Sequence, residues 1–243
     1  MDPAYALAYR RLHEVHWWWR ARREYLLGWL RRLAPPGGFG AILDVGCGDG
    51  LYFEALSELG RPEGVEPDAS LITGASARWG TIHCAPFDAS FAPGKSYGLV
   101  LMLDVVEHME DDRAGMARAA ALLAPGGTLV ATVPAFQALW TQHDAWNHHH
   151  RRYRLAGLER LVRDAGLEVL AARYFFHWPA PVKLLVRLKE ALWPGKPEVP
   201  APPPPPVNAL LYALSRLESA TVGRLSLPFG SSALVIGRRR LEA

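Results

Sequence analysis

The run Ile42-Leu-Asp-Val-Gly-Cys-Gly-Asp-Gly50 places glycines at alternate positions, Gly46, Gly48 and Gly50, directly behind an apolar stretch. Glycine lets the chain turn sharply and lets a ligand approach the backbone closely. The spacing differs from the G-x-G-x-x-G of dinucleotide-binding turns. Asp44 stands just before the turn, where a carboxylate repels a pyrophosphate and suits a cationic ligand. Glu66 closes the next apolar stretch, within Gly64-Val-Glu-Pro-Asp68. A carboxylate there can accept both hydroxyls of a ribose. Asp44, the glycine turn and Glu66 together suit a nucleoside that carries positive charge rather than phosphates.

A second group of chemically capable residues is Thr141 to Tyr153, TQHDAWNHHHRRY. His143 and His148 are candidate general bases, and Arg151 and Arg152 candidate anion contacts. His143, Asp144 and His148 are also suitable ligand types for a metal ion, although no metal is assigned from the sequence. The competing reading is a loop whose polar groups satisfy neighbouring backbone.

Both groups need a scaffold, and the chain supplies a rhythm of strands and helices. Short apolar strands are predicted at 41–45, 62–66, 81–84, 97–103, 128–133, 167–175 and 232–237. The 97–103 run is almost wholly apolar, as in a strand buried on both faces. Helices are predicted at 51–59, 69–79, 112–123 and 155–165, after an N-terminal helical region spanning 3–33 that Pro35 and Pro36 stop. This alternation means an α/β fold with a mainly parallel sheet covered on both sides. Ligands of such sheets bind at the carboxyl ends of the strands. The histidine loop follows the fifth strand and so belongs on the ligand side.

The rhythm breaks between 176 and 232. Helical stretches at 182–193 and 207–225 flank five prolines, Pro202 to Pro206, which favour a stiff, extended connector. Each stretch has an apolar stripe: Val182, Leu185, Leu188 and Leu192 in one, Val207, Leu210, Leu211, Leu214 and Leu217 in the other. Such stripes usually pack on their own protein. A lid over the substrate is the preferred reading, with a dimer surface or a membrane-surface anchor as alternatives. The expected divisions are 1–38 (helical), 39–176 (ligand-binding core), 177–231 (insertion) and 232–243 (last strand).

Composition sets the outer bounds. The 243 residues suffice for one sizeable core; half are hydrophobic and 21% charged, as in ordinary globular proteins. No apolar run approaches the roughly 18 residues of a membrane span. The N-terminal stretch lacks the pattern of a signal peptide. Two cysteines, Cys47 and Cys84, make no disulfide framework, so a cytoplasmic setting is expected. A net charge of +3 does not by itself argue for nucleic acid. Seven arginines within the first 40 residues could still form a basic face. In the same region Trp17, Trp18 and Trp19 cannot all face one side of a helix. Arg22, one turn beyond Trp18, is placed to meet a ligand carboxylate.

LDVGCGDG at 43–50, VEPD at 65–68, LMLDVVEHMEDD at 101–112 and LAPGGTLVATVP at 123–134, in this order and spacing, resemble the class I S-adenosylmethionine-dependent methyltransferases. The resemblance covers roughly residues 40–175, and HWWWRARREYL at 16–26 is similar to the N-terminal segment of a bacterial subgroup. It implies a Rossmann-like, doubly wound, mostly parallel sheet with N-terminal helices and a helical insertion before a last, antiparallel strand. It implies S-adenosylmethionine as cofactor. Gly46, Cys47 and Gly48 would lie against its methionine part near Asp44, and Glu66, with Pro67 beside it, would hold the ribose. Phe87 and Asp88 would hold the adenine, and Leu103 and Asp104 would line the site. His108, just after the fourth strand, is a further candidate base, although this fold has no obligatory catalytic residue. One departure is Gly98, where many relatives open the fourth strand with aspartate.

The expected reaction is methyl transfer to an oxygen, nitrogen or carbon of a small or lipid-like acceptor. The expected state is a monomer or homodimer with no nucleic acid bound. An RNA methyltransferase, or a cofactor-binding protein without transferase activity, is the alternative.

Overall fold

The computed structural model describes residues 10–193 and 201–241. The start of the expected N-terminal helix at 3–9, part of the inserted segment at 194–200, and residues 242–243 lie outside them.

The central strands explain the architecture. In β4 (Tyr97–Leu103), Leu99 and Leu101 face one side while Val100 and Met102 face the other, and all four are fully buried. Alternating side chains are apolar throughout because both faces of the sheet are covered. One face packs on α1 (Trp17–Leu33) through Leu26, Leu27 and Leu30. The other packs on α3 (Asp112–Leu122) and α5 (Leu155–Asp164) through Met116, Ala119, Leu158, Leu161 and Val162.

Seven strands form one sheet in the order β3-β2-β1-β4-β5-β7-β6. β1 (Ala41–Val45), β2 (Arg61–Glu66), β3 (Thr81–Cys84), β4 and β5 (Leu123–Pro134) run parallel. β7 (Ser232–Arg238) lies antiparallel between β5 and β6 (Glu168–Phe175). Strand order reverses between β1 and β4, which opens a crevice at their carboxyl ends, where α/β proteins bind ligands. The Rossmann-like fold with a final antiparallel strand is the expected one.

Several expected elements change. No helix spans 69–79; only Ala69–Leu71 is helical, as a single 3₁₀ turn. Asp49 accepts the Thr73 N–H at 2.9 Å, and Gly74 has φ +80°, so the chain is tied to the glycine turn instead of coiling. The helix after the glycine turn is the short α2 (Phe53–Ser57). β5 begins before Pro125-Gly126-Gly127, with an irregular register against β4. Gly98, the departure from the family pattern, is explained by packing. A Cβ there would collide with the Phe39 carbonyl.

The insertion is two helices, α6 (Pro179–Leu192) and α7 (Pro205–Ala220). Pro202 to Pro204 lie outside regular structure, but Pro205 and Pro206 begin α7, where a missing N–H costs no hydrogen bond. α7 braces α1: Asn208 accepts from Trp17 N–H at 2.9 Å and donates to the Val15 carbonyl at 2.8 Å. Glu218 of α7 also receives the N–H groups of His177 (2.8 Å) and Trp178 (2.9 Å), at the start of α6. α6 borders the loop after β5, where Glu190 accepts from Gln142 N–H at 2.9 Å. The apolar stripes stay largely at the surface. Leu185, Leu188, Leu192, Leu210 and Leu217 are all more than half exposed.

Candidate cofactor and acceptor site

The cleft begins at the carboxyl ends of β1 and β2. Gly46 (φ +64°) hydrogen-bonds to the Val65 carbonyl at 2.8 Å, and a Cβ there would meet Val105 Cγ2 at 2.7 Å. Gly48 (φ +55°) is different: a side chain there would enter open space. Glu66 braces this turn from below. Its Oε2 accepts the Gly48 N–H and its Oε1 the Asp68 N–H, each at 3.0 Å. Asp44 and Glu66 are both buried. Burial, reinforced by Glu66, raises the Asp44 carboxyl to about 7, and burial raises Glu66 as well. Two crowded acidic groups at one edge are the environment a cation relieves.

Cys47 is buried beside them, its Sγ close to the Gly48 carbonyl at 3.5 Å. Asp49 lies outside the cleft, held by Arg10 and Thr73. Across the cleft, Phe87 is half-buried against Phe91, with ring centroids 6.0 Å apart. Asp88 and Pro67 are exposed, and Asp88 accepts the Ser90 N–H at 2.7 Å. Leu103 is half-buried at the end of β4.

Arg22 reaches under the cleft from α1. It is buried, pairs with Asp104 Oδ2 at 2.6 Å and donates to Thr132 Oγ1 at 2.6 Å. The sequence placed it against a ligand carboxylate; here Nη2 is shared between Asp104 (φ +57°) and Thr132, while Nη1 is buried with no hydrogen-bond partner. The neighbouring tryptophans all pack. Trp19 is buried against His16, Trp17 meets Trp178 at 5.1 Å, and Trp18 meets Phe176 at 5.9 Å. The N-terminal arginines are largely engaged too: Arg10 with Asp49, Arg20 over the Tyr212 ring, Arg31 with Glu58 and Arg32 over Trp29.

The histidine loop is organised around Asp144. Asp144 is wholly buried, and Arg152 grips both its oxygens, Nε to Oδ1 and Nη2 to Oδ2, each at 2.8 Å. Thr141 N–H and His149 Nδ1 complete the shell at 2.8 and 2.9 Å. Against the push of burial, His149 and Arg152 hold the Asp144 carboxyl well below its usual range. Asp144 is committed to this pair, which leaves His143, Asp144 and His148 without a free carboxylate. One expectation is corrected. Arg152 and Arg151 are not open anion contacts, because Arg151 pairs with Asp112 at 3.0 Å and donates to the Glu110 carbonyl at 2.8 Å.

The three candidate bases are scattered. His143 sits on α4 (Gln142–Trp146) beside Asn147, and burial, then Lys183, lowers it to about 4. His148 is exposed with φ +58°. His108 lies exposed in the 3₁₀ turn Val106–His108 after β4. His143 is thus neutral at pH 7 but weak as a base.

Sequence reasoning missed Glu107 and His149. Glu107 is fully buried next to His108, and neither of its carboxylate oxygens has a hydrogen-bond partner. Burial, then the Asp104 charge, pushes its carboxyl well above the usual range. The His149 ring stands edge-on to His108 with centroids 4.6 Å apart. The available signal was the acidic residue before His108, within a segment otherwise read as strand end.

Comparison with known proteins matches this arrangement to a methyltransferase domain over residues 18–172, more than half the chain. The ubiquinone biosynthesis O-methyltransferase of Bradyrhizobium sp. (strain ORS 278) is 38% identical over 96 residues, 37% of this chain and 38% of that protein. The protein of the same name from Rhodopseudomonas palustris (strain HaA2) is 34% identical over 144 residues, 56% of this chain and 47% of that one. The chain thus spans less than half the length of the curated relatives it matches. Among solved structures, the N-methyltransferase NodS of Bradyrhizobium japonicum WM9 in complex with S-adenosyl-L-homocysteine aligns at TM-score 0.55 and 16% identity, over 94% of this chain and 90% of that one. A chain from the complex of the Haloferax volcanii Trm112 methyltransferase activator aligns at TM-score 0.63 and 20% identity, over 99% of this chain and 96% of that one. At such identities the likeness is one of fold. The family match, joined to the sheet order and the glycine-turn cleft, places the chain in the class I S-adenosylmethionine-dependent methyltransferase family.

Proposed function

We propose that the chain transfers a methyl group from S-adenosylmethionine to an oxygen of a small or lipid-like acceptor. The observation that carries this reading is the open cleft over Gly48, walled by the buried acids Asp44 and Glu66. Bound there, the cofactor supplies a methyl group on a sulfonium, an electrophile that needs mainly alignment with its acceptor. The residues fit it at three points. Gly48 leaves room for close approach, and Glu66, bonded once at each oxygen, keeps lone pairs for ribose hydroxyls. The buried Nη1 of Arg22 has no partner in the protein and suits a carboxylate. The family resemblance would set the adenine against Phe87 and Asp88. The preference for oxygen draws support from the curated relatives, which are named O-methyltransferases.

Glu66→Ala should weaken S-adenosylmethionine binding by about 1.5–3 kcal/mol, the range for charge-assisted hydrogen bonds. Calorimetry on the folded variant measures it, with S-adenosylhomocysteine as a second ligand. An unchanged affinity removes Glu66 from the site.

The exposed ridge of α6 and α7 favours a lipid-like acceptor. Exposed leucines beside the exposed Lys189 suit the surface of an anionic bilayer. Among the described residues no helix is long and apolar enough to cross a membrane, so contact would be peripheral. The protein should sediment with vesicles containing phosphatidylglycerol. A variant with Leu185, Leu188 and Leu192 changed to Gln should stay in the supernatant. Equal sedimentation of both would separate the ridge from any lipid role.

A further inference from the structure

Beyond the cofactor cleft, Glu107, His108 and His149 each bring one ligand atom within 4.8 Å of the others. Proximity alone is weak, since side chains of these types often cluster without an ion. Three further observations point the same way.

The first is Glu107. A fully buried carboxyl group with both oxygens unpartnered is costly. Arg22 and Arg152 lie near enough to feel its charge, yet both are committed to Asp104 and Asp144. A cation between Glu107 and the two rings would supply the missing partner.

The second is the way His149 is held. Asp144 is kept ionised by Arg152, so it accepts, and His149 Nδ1–H donates to it at 2.9 Å. That leaves Nε2 as the ring's acceptor. A carboxylate that orients an imidazole in this manner is the usual support of a metal-ligating histidine. The His108 ring packs edge-on against His149, with centroids 4.6 Å apart.

The third is that the chain is bent to bring these groups together. His148 has φ +58°, uncommon for a residue with a side chain. His149 N–H bonds to the Asp144 carbonyl at 3.0 Å, and His150 N–H to the Glu107 carbonyl at 2.8 Å. The loop is therefore clamped directly onto the turn that carries Glu107 and His108. Because His108 is exposed and His149 half-buried, the cluster is open to solvent on one side.

We propose that Glu107, His108 and His149 form a divalent transition-metal site whose open side takes an oxygen ligand of the methyl acceptor. Two imidazoles and one carboxylate select zinc, cobalt or iron(II) over magnesium and calcium, which prefer all-oxygen shells. The site lies just past the carboxyl end of β4, the side on which an acceptor would meet the cofactor's methyl group. An acceptor hydroxyl bound there would ionise more readily, its proton leaving to bulk water. This acceptor role rests on the methyl-transfer reading; binding of the ion does not.

The test uses the full chain, stripped with chelator and titrated with Co²⁺ while its visible absorption is followed. Wild type should bind one Co²⁺ per chain, displaced by Zn²⁺, and Zn²⁺ should raise the melting temperature. Glu107→Gln and His149→Ala should each weaken Co²⁺ binding by at least about 100-fold, more than loss of an outer-shell partner costs. His108→Ala, at the exposed edge, gives a third variant if either buried change fails to fold. S-adenosylhomocysteine binding, measured on the same samples, should persist in all of them. No Co²⁺ spectrum in wild type, or equal binding by wild type and the folded variants, overturns the site. If Co²⁺ binds and is lost in the variants while S-adenosylhomocysteine binds to none, the site stands and the methyltransferase reading fails.

Discussion

Arg152→Ala should cost about 3–5 kcal/mol of folding stability, the range for breaking a buried ion pair from one side. Arg152 and Asp144 have side chains 1% and 0% exposed, and the arginine makes two 2.8 Å hydrogen bonds to the carboxylate. The guanidinium also donates to the Ala135 carbonyl at 3.1 Å, tying the loop to the end of β5. Removing it leaves a buried carboxylate with only His149 and Thr141 as partners. Urea denaturation at pH 7 measures the loss. Asp144→Asn added to Arg152→Ala should recover part of it, because the stranded charge is gone.

The pH dependence follows from the same pair. In wild type the Asp144 carboxyl is held below its usual range, so its contribution is complete above the unfolded value of about 3.9 and fades as pH falls below that. In Arg152→Ala the carboxyl loses its strongest cation while burial still raises it, so mild acid should relieve the variant and narrow the gap to wild type. A loss under about 1 kcal/mol at pH 7, typical of exposed pairs, would show that the pair is not what organises this loop.

Much of the fold was legible because burial leaves a strong pattern. Tyr97–Leu103 reads as a doubly covered strand, and the glycine turn announces the crevice beside it. The antiparallel last strand came only through the family resemblance, since periodicity carries no direction. The helix expected at 69–79 failed because its competitor is distant in sequence: Asp49 captures Thr73 across the turn. The histidine loop was harder still. Its residue types suggested outward-facing chemistry, but charge and polarity do not reveal that Asp144 and Arg152 find each other inside. Glu107 and His149 are 42 positions apart, and long-range contacts such as the bond from His150 N–H to the Glu107 carbonyl make them neighbours. Short-range pattern reading has no access to such a contact.

Gly48→Val should remove cofactor binding while leaving the domain folded. The backbone at Gly48 has φ +55°, where a β-branched residue is strained by about 1–2 kcal/mol. No atom lies within 4 Å of the added Cβ, so the cost to the empty protein stops at that strain. The side chain would instead occupy the space that the cofactor needs above the turn, and it would disturb the N–H that Glu66 receives at 3.0 Å. Affinity for S-adenosylmethionine should fall by at least about 100-fold, equivalent to about 2.7 kcal/mol. Gly46→Ala makes the contrasting case two residues earlier. Its Cβ would strike Val105 Cγ2 at 2.7 Å, so there the loss should be of stability first. Thermal unfolding and calorimetry on both variants separate the two effects. If Gly48→Val binds S-adenosylmethionine as tightly as wild type, the open space above Gly48 is not the cofactor's.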